Sequence, residues 1–154
     1  MLKFALMEIQ ITQITDRTPE LKSMLTELWE RSVRATHHFL GEEDIVRLRG
    51  FVPEAISGIG TLAVAYENGC PVGFIGIESQ KIEMLFIEPD HIGKGIGKSL
   101  LRWAIDHHDA KFIDVNEDNT SALAVYRHWG FREYERSATD DQGYPFPILR
   151  MKYE

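Results

Sequence analysis

The sequence contains one cysteine, Cys70, among its 154 residues. A single cysteine excludes an intramolecular disulfide and any metal site built from several cysteines. The sequence also lacks an apolar run of the roughly 20 residues that a membrane-spanning helix needs. Its first seven residues are too few for a signal peptide and contain no small-residue cleavage site. We therefore expect a cytoplasmic protein with no membrane partner.

Positive charge is also scarce. The sequence has 17 Lys and Arg against 24 Asp and Glu, for a formal net charge of −7. Because clustered Lys and Arg dominate affinity for phosphate backbones, we expect no nucleic-acid partner. The acidic balance suits a cationic or amine-bearing substrate, and it is also common among soluble proteins. The length is that of one domain spanning 1–154, with no repeat or linker.

Hydrophobic periodicity predicts a chain of the α/β (α+β) class. An Asn-Gly pair at Asn68 and Gly69 between apolar alternations is typical of a hairpin turn. The order of elements predicts a mixed, mostly antiparallel sheet flanked by helices. The predicted helices are 19–35, 42–51, 99–106 and 119–129, with a loop at 53–60, and the predicted strands are 9–14, 61–66, 72–77, 82–87, 112–115, 131–137 and 148–153.

The most informative segment, 84–101, runs from a strand through a glycine loop into a helix. Gly93, Gly95 and Gly97 stand at alternate positions, where they let backbone N–H groups approach a ligand. Those N–H groups and the positive end of the helix dipole attract a pyrophosphate. The segment therefore predicts a nucleotide-like cofactor.

Two familiar nucleotide-binding patterns fit this segment poorly. Gly97, Lys98 and Ser99 match the end of a Walker A loop, but Ile92 occupies the position of its first glycine. The glycine spacing also departs from the G-x-G-x-x-G of a Rossmann site, and the preceding strands form an antiparallel meander.

A third pattern fits residue by residue. The strand end 85–89 and the loop 93–101, followed by Asn116, Asn119, Ala122, Tyr126, Gly130 and Phe131, resemble the GNAT superfamily of acetyl-CoA-dependent N-acetyltransferases. Segments 29–40 and 141–149 resemble a branch of small bacterial acetyltransferases. The resemblance covers the whole chain. It implies a GNAT-like fold, acetyl-CoA as co-substrate, no metal, a small-molecule or peptide amine as acceptor, and a monomer or homodimer.

The resemblance also implies which residues contact the cofactor. Main-chain N–H groups of the strand would bind the pantetheine arm and the thioester, and the loop would bind the pyrophosphate. Ile92 replaces the family's Arg or Gln, and Lys94 or Lys98 either supplies the missing charge or is simply solvated. The cofactor-binding residues implied are Phe86, Ile87, Ile92, Gly93, Lys94, Gly95, Ile96, Gly97, Lys98, Asn119 and Tyr126.

The expected chemistry is direct transfer, in which positioning supplies most of the acceleration. Tyr126 matches the family's general acid, because a phenol can protonate a departing thiolate. Three routes for removing the amine proton stay open: Glu83, His37, or a water relay. Trp29, Arg31 and Phe39 are expected to line or back the acceptor pocket, with 144–147 as its other wall. Core packing is the alternative role for Trp29, and a non-catalytic acyl-CoA sensor is the alternative function.

Overall fold

The computed structural model describes residues 8–154, which form seven strands, five α-helices and one 3₁₀ turn. The N-terminal segment judged unlike a signal peptide lies outside these residues. In chain order the elements are β1 (Ile9–Gln13), α1 (Pro19–Thr36), α2 (Glu42–Arg49), α3 (Val52–Gly58), β2 (Thr61–Glu67), β3 (Cys70–Glu78), β4 (Lys81–Ile87), a 3₁₀ turn (Pro89–His91), α4 (Ile96–His108), β5 (Phe112–Asn116), α5 (Thr120–His128), β6 (Phe131–Ser137) and β7 (Ile148–Tyr153).

The strands form one sheet in the order β1-β2-β3-β4-β5-β7-β6. Every neighbouring pair is antiparallel except β4 and β5, which are parallel. The predicted α/β class with a mixed, mostly antiparallel sheet is confirmed. No helix within 8–154 has both the length and the apolar character needed to cross a bilayer.

One predicted loop is a helix. The segment 53–60 was expected to be irregular because of Pro53, Gly58 and Gly60, yet α3 occupies most of it. Pro53 lies in the first turn of α3, where a missing N–H costs no hydrogen bond. Ile56 is completely buried, so packing stabilises a helix that local composition disfavours.

The sheet separates two hydrophobic clusters. Because side chains alternate across a strand, Phe74 of β3 packs towards α1, α2 and α3, whereas Ile75 packs towards α4 and α5. The first face also buries Leu25, Leu28 and Ile56, and the second buries Ile96 and Leu100. Helices thus cover both faces of the sheet and are held at fixed positions beside its centre.

The parallel pair at the centre of the sheet is very short. β4 and β5 pair only at Lys81 with Phe112 and at Ile82 with Ile113. Beyond these residues the two strands separate, and we call the opening between them the fork. At its base, Asp114 Oδ2 lies 2.7 Å from Lys81 Nζ and 2.6 Å from Arg150 Nη1. These charges join β4, β5 and β7 where the backbone ladder ends.

Gly73 of β3 allows α4 to lie against the sheet. A Cβ atom there would stand 2.9 Å from Ile87 Cδ1, 3.2 Å from Ile96 Cγ2 and 3.3 Å from Leu100 Cδ1. Ile96 and Leu100 belong to the first turns of α4. The absence of a side chain at Gly73 therefore sets how closely the start of α4 approaches β3.

We expect Gly73→Ala to lower the free energy of unfolding by about 1–3 kcal/mol, because the added methyl group crowds the buried Ile96 and Leu100 and the partly buried Ile87. Urea unfolding measures the change. Gly58→Ala is the matched control, since nothing lies within 4 Å of a Cβ at that position. Equal stability of the two variants would contradict the close approach of α4.

Candidate active site

The glycine loop ends in an uncapped helix N-terminus. Gly93 and Gly95 adopt left-handed φ angles of 84° and 86°. The helix α4 begins at Ile96, three residues before the predicted start at 99, so Gly97 lies in its first turn. No side chain caps this helix. The N–H groups in the first turn of any helix lack an intrahelical acceptor. Because no side chain accepts from them here, they are available to an anion.

A cavity of about 430 Å³ lies against this loop, and we call it the loop cavity. Its wall includes five of the predicted cofactor residues from the loop, together with Asn119 and Tyr126 of the following helix region. Ile92 is 49% exposed at its edge. The loop residues concerned are Ile92, Gly93, Gly95, Gly97 and Lys98.

Two other predicted cofactor residues lie off this wall. Lys94 is exposed, and Ile96 is 1% exposed with its side chain in the core. For Ile96 only the main-chain N–H at the start of α4 is available to a ligand. The free N–H groups at the start of α4 are available to an anion such as a pyrophosphate whatever side chain stands at position 92.

The backbone of β4 presents N–H groups to the fork. Glu88 N donates to Val72 O at 2.8 Å, so this N–H points to β3. Because N–H directions alternate along a strand, Phe86 also donates towards β3, whereas Leu85 and Ile87 point into the fork. The N–H groups facing the fork are thus those of Leu85 and Ile87, in place of the Phe86 and Ile87 pair that the resemblance implied.

Two further cavities adjoin the loop cavity. The fork cavity, of about 210 Å³, lies between β4 and β5. The hairpin cavity, of about 370 Å³, is walled by α1, α2, α3 and the segment between β6 and β7. His37 and Phe86 line all three cavities. Ligands entering the loop and hairpin cavities would therefore meet beside these two side chains.

Tyr126 stands where the loop and fork cavities join. Its ring packs edge-on against Trp129 and Phe131, with centroids 6.0 Å away in each case. Burial raises the pKa of its phenol above the ordinary value. The phenol is therefore protonated at neutral pH and is less acidic than an exposed tyrosine.

His37 is held in one tautomer. The Thr36 hydroxyl donates to Ser32 O at 2.8 Å, and its oxygen lies 2.8 Å from His37 Nδ1. Because the hydroxyl has a single proton, His37 Nδ1–H is the donor in the second bond. Burial, reinforced by the neighbouring His38, lowers the pKa of His37 to about 4. A neutral imidazole therefore presents the lone pair of its Nε2.

Glu83 is the carboxylate that lines both the fork cavity and the hairpin cavity. Its side chain is 41% exposed, and its Oε1 lies 3.5 Å from Lys81 Nζ. Asp140 and Asp141 line only the hairpin cavity, and Asp114 lines only the fork cavity. Of the two predicted bases, Glu83 is thus the more exposed to solvent and His37 the more buried.

The three predicted acceptor residues occupy different places. Trp29 lines the hairpin cavity and is also a core residue, 6% exposed, so both of its expected roles are compatible. Phe39 lies behind the wall, 5.5 Å from His37 and 5.9 Å from Phe146 between ring centroids. Arg31 is not among the lining residues: its guanidinium forms two 2.7 Å bonds to Glu88 at the end of β4.

Arg47 of α2 is a residue that sequence reasoning missed. Its Nη1 donates to Gln142 Oε1 at 2.7 Å, and its guanidinium carbon lies 3.7 Å from the centre of the Tyr144 ring. These contacts join α2 to the segment between β6 and β7 across the hairpin cavity. A separation of 95 residues hides such a pair from any local pattern.

We expect the imidazole of His37 to stay neutral down to a pH of about 4. The pKa in the folded protein lies below the ordinary 6.5, so the unfolded state takes up the proton first as pH falls. Above pH 6.5 the imidazole is neutral in both states and costs no stability. As pH falls from 6.5 to 4, the free energy of unfolding decreases by about 3 kcal/mol at most. Histidine NMR titration measures the pKa, with His37→Gln to assign the signal. A titration midpoint near 6.5 would contradict the burial.

The profile of the acetyltransferase (GNAT) family matches residues 17–131. The peptidyl-lysine N-acetyltransferase YjaB of Salmonella typhimurium is 36% identical over 129 residues, which cover 84% of this chain and 89% of that protein. YjaB of Escherichia coli is 40% identical over 134 residues, covering 84% and 88% respectively.

Solved structures of acetyltransferases have the same fold as this chain. The solution structure of apo YjaB from Escherichia coli matches with a TM-score of 0.86 at 35% identity, covering 96% of this chain and 98% of that one. The PaiA N-acetyltransferase of Thermoplasma acidophilum, solved with coenzyme A, shares the fold at a TM-score of 0.69 and 23% identity, covering 96% and 100%. The chain belongs to the GNAT family of acetyltransferases.

Proposed function

We propose that this N-acetyltransferase moves the acetyl group of acetyl-CoA directly to the side-chain amine of a lysine in a peptide or protein. The observation that carries the proposal is the meeting of the loop, fork and hairpin cavities at His37 and Phe86. The two YjaB relatives are named peptidyl-lysine N-acetyltransferases, which favours this acceptor class over a small-molecule amine.

The loop cavity would hold acetyl-CoA. The first-turn N–H groups of α4 bind the pyrophosphate, and Lys98 adds a positive charge at the same end of the cavity. The N–H groups of Leu85 and Ile87 bind the pantetheine arm and direct the thioester into the fork. Because backbone N–H groups make these contacts, acetyl-CoA binding does not require a charged side chain at position 92.

The hairpin cavity would hold the lysine. Its wall is mostly apolar, with Trp29, Val33 and Phe146 suited to the methylene groups of a lysine side chain. Glu83, Asp140 and Asp141 place carboxylates on the same wall, where they attract an ammonium group. The combination of apolar contact and negative charge matches a long cationic side chain.

The chemistry proceeds without a covalent enzyme intermediate. Glu83 takes a proton from the ammonium, and the lone pair of His37 Nε2 accepts a hydrogen bond that orients the amine. The amine nitrogen then bonds to the thioester carbonyl carbon while an N–H of β4 stabilises the developing oxyanion, by roughly 3 kcal/mol. The carbon–sulfur bond breaks, and Tyr126 delivers its proton to the departing thiolate. The acetylated nitrogen then loses its second proton, which returns through water to the Tyr126 phenolate, while Glu83 releases its proton to solvent.

We expect Tyr126→Phe to lower kcat about 100-fold or more while leaving the affinity for acetyl-CoA unchanged, because the phenol acts only on the leaving group. Thiol release with a lysine peptide measures kcat, and calorimetry measures acetyl-CoA binding. Full turnover in the variant would remove Tyr126 as the acid.

The same assays separate the rival functions. A non-catalytic acyl-CoA sensor would bind acetyl-CoA without releasing thiol in the wild-type protein. A nucleotide triphosphatase would bind magnesium-ATP in place of acetyl-CoA. Turnover with small amines but not with lysine peptides would keep the reaction and replace the acceptor.

We expect Glu83→Gln to lower kcat/KM at pH 7 by about 100-fold or more, with activity recovering as pH rises towards the pKa of the amine. Recovery follows because solvent then deprotonates the amine without a general base. Asp141→Asn is the control: it lines the hairpin cavity alone and should raise KM for the peptide with little change in kcat. A wild-type pH profile in Glu83→Gln, together with loss of activity in His37→Gln, would transfer the base to His37.

A further inference from the structure

Asn116, at the end of β5, is a polar residue to which the proposed chemistry gives no role. It lines both the fork cavity and the hairpin cavity, as do His37, Glu83, Met84 and Phe86. Among the described residues, the polar side chains common to both cavities are thus those of His37, Glu83 and Asn116. They come from three separate elements, namely the end of α1, β4 and β5.

The main chain fixes the direction of the Asn116 side chain. Asn116 pairs with Ile148 of β7, and its carbonyl oxygen accepts from Asn119 N at 2.9 Å. Side chains alternate across a strand, and the preceding Val115 belongs to the cluster that packs towards α4 and α5. The Asn116 side chain therefore points to the opposite face, where the hairpin cavity lies.

The side-chain amide of Asn116 is available to a ligand. Among residues 8–154 no group forms a hydrogen bond with it, whereas the amide oxygen of Asn119 caps α5 by accepting from Ala122 N at 3.3 Å. An amide oxygen is an uncharged acceptor with two lone pairs. It can accept from an amine without competing with Glu83 for the proton.

A primary amine needs two acceptors to be held in one orientation. After the ammonium has lost one proton, its nitrogen keeps two N–H bonds and one lone pair, and rotation about the bond to carbon redirects the lone pair. His37 Nε2 accepts one N–H in the proposed chemistry. An acceptor for the second N–H fixes the direction of the lone pair, and such orientation of the reacting atoms is a major source of rate acceleration.

We propose that Asn116 Oδ1 accepts the second N–H of the acceptor amine, and that this contact makes the enzyme selective for primary amines over N-methylated amines. The inference rests on the proposed function, because it needs the lysine in the hairpin cavity and the thioester in the fork. A methyl group on the nitrogen replaces one N–H bond, so that an acceptor in the site stays unpaired, which costs free energy.

Initial rates with two peptides that differ only in lysine against Nε-methyllysine test the proposal. For the wild-type protein we expect kcat/KM to be about tenfold lower with the methylated peptide. Asn116→Ala should lower kcat/KM for the lysine peptide by a similar factor and leave the methylated peptide nearly unchanged, so that the ratio falls towards one. The calorimetric affinity for acetyl-CoA should not change, because Asn116 does not line the loop cavity.

Three further variants complete the test. Asn116→Leu removes the same oxygen while keeping the side-chain volume, so it should repeat the result and keeps the test decisive if Asn116→Ala does not fold. Asn116→Asp retains an acceptor oxygen and should retain the preference for the primary amine. Asp118→Ala is the matched control and should leave both rates unchanged, since Asp118 is exposed in the turn after β5 and lines none of the three cavities.

The outcomes separate this role from the proposed function. Equal rates with both peptides in the wild-type protein, or an equal lowering of both rates by Asn116→Ala and Asn116→Leu, would overturn the role of Asn116 and leave the proposed function standing. An unchanged rate with the lysine peptide in these two variants would do the same. A wild-type protein that acetylates neither peptide would overturn the proposed function itself.

Discussion

The separation of β4 from β5 after two residue pairs is the constraint on which the site depends. A continuous parallel ladder would pair the N–H groups of Leu85 and Ile87 with β5. It would also close the fork cavity, which His37 and Tyr126 both line. Two features flank this opening. The absence of a side chain at Gly73 lets α4 pack closely on β3, and the ion pairs of Asp114 join β4, β5 and β7 at the base of the fork. The fork is thus a stable gap in an otherwise complete sheet.

Under the proposed function, the two halves of the site would use different kinds of recognition. The cofactor half would rely on backbone geometry, namely left-handed glycines, an uncapped helix and strand N–H groups that face the fork. Backbone atoms are insensitive to side-chain replacement, so an apolar residue at position 92 would leave that half intact. The acceptor half would rely on side chains from α1, α2, α3 and the segment before β7. Its shape depends on long-range contacts such as that between Arg47 and Gln142.

Short sequence patterns predicted the features of the fold that depend on interactions between residues close together in the chain. The glycine loop, the hairpin turn and the order of strands and helices each follow from short-range rules. Nine of the eleven cofactor residues that the family resemblance implies lie on the wall of the loop cavity, and their role stays a prediction. The direction of each N–H along β4 depends on its register with β3, which no short pattern contains, so Leu85 was missed. The same holds for Arg31, whose partner Glu88 lies 57 residues away. The helix α3 forms against its local composition because Ile56 is buried by distant residues.

Among residues 8–154, the loop and hairpin cavities share His37 and Phe86 and no other lining residue. Under the proposed function, mutations elsewhere on the hairpin wall would leave the wall of the loop cavity unchanged, so that a lineage could change its acceptor while keeping its acetyl donor. His37 and Phe86 are the exceptions, since a change at either position alters both halves at once. Divergence within such a scaffold is expected to spare these two side chains while the rest of the acceptor wall drifts.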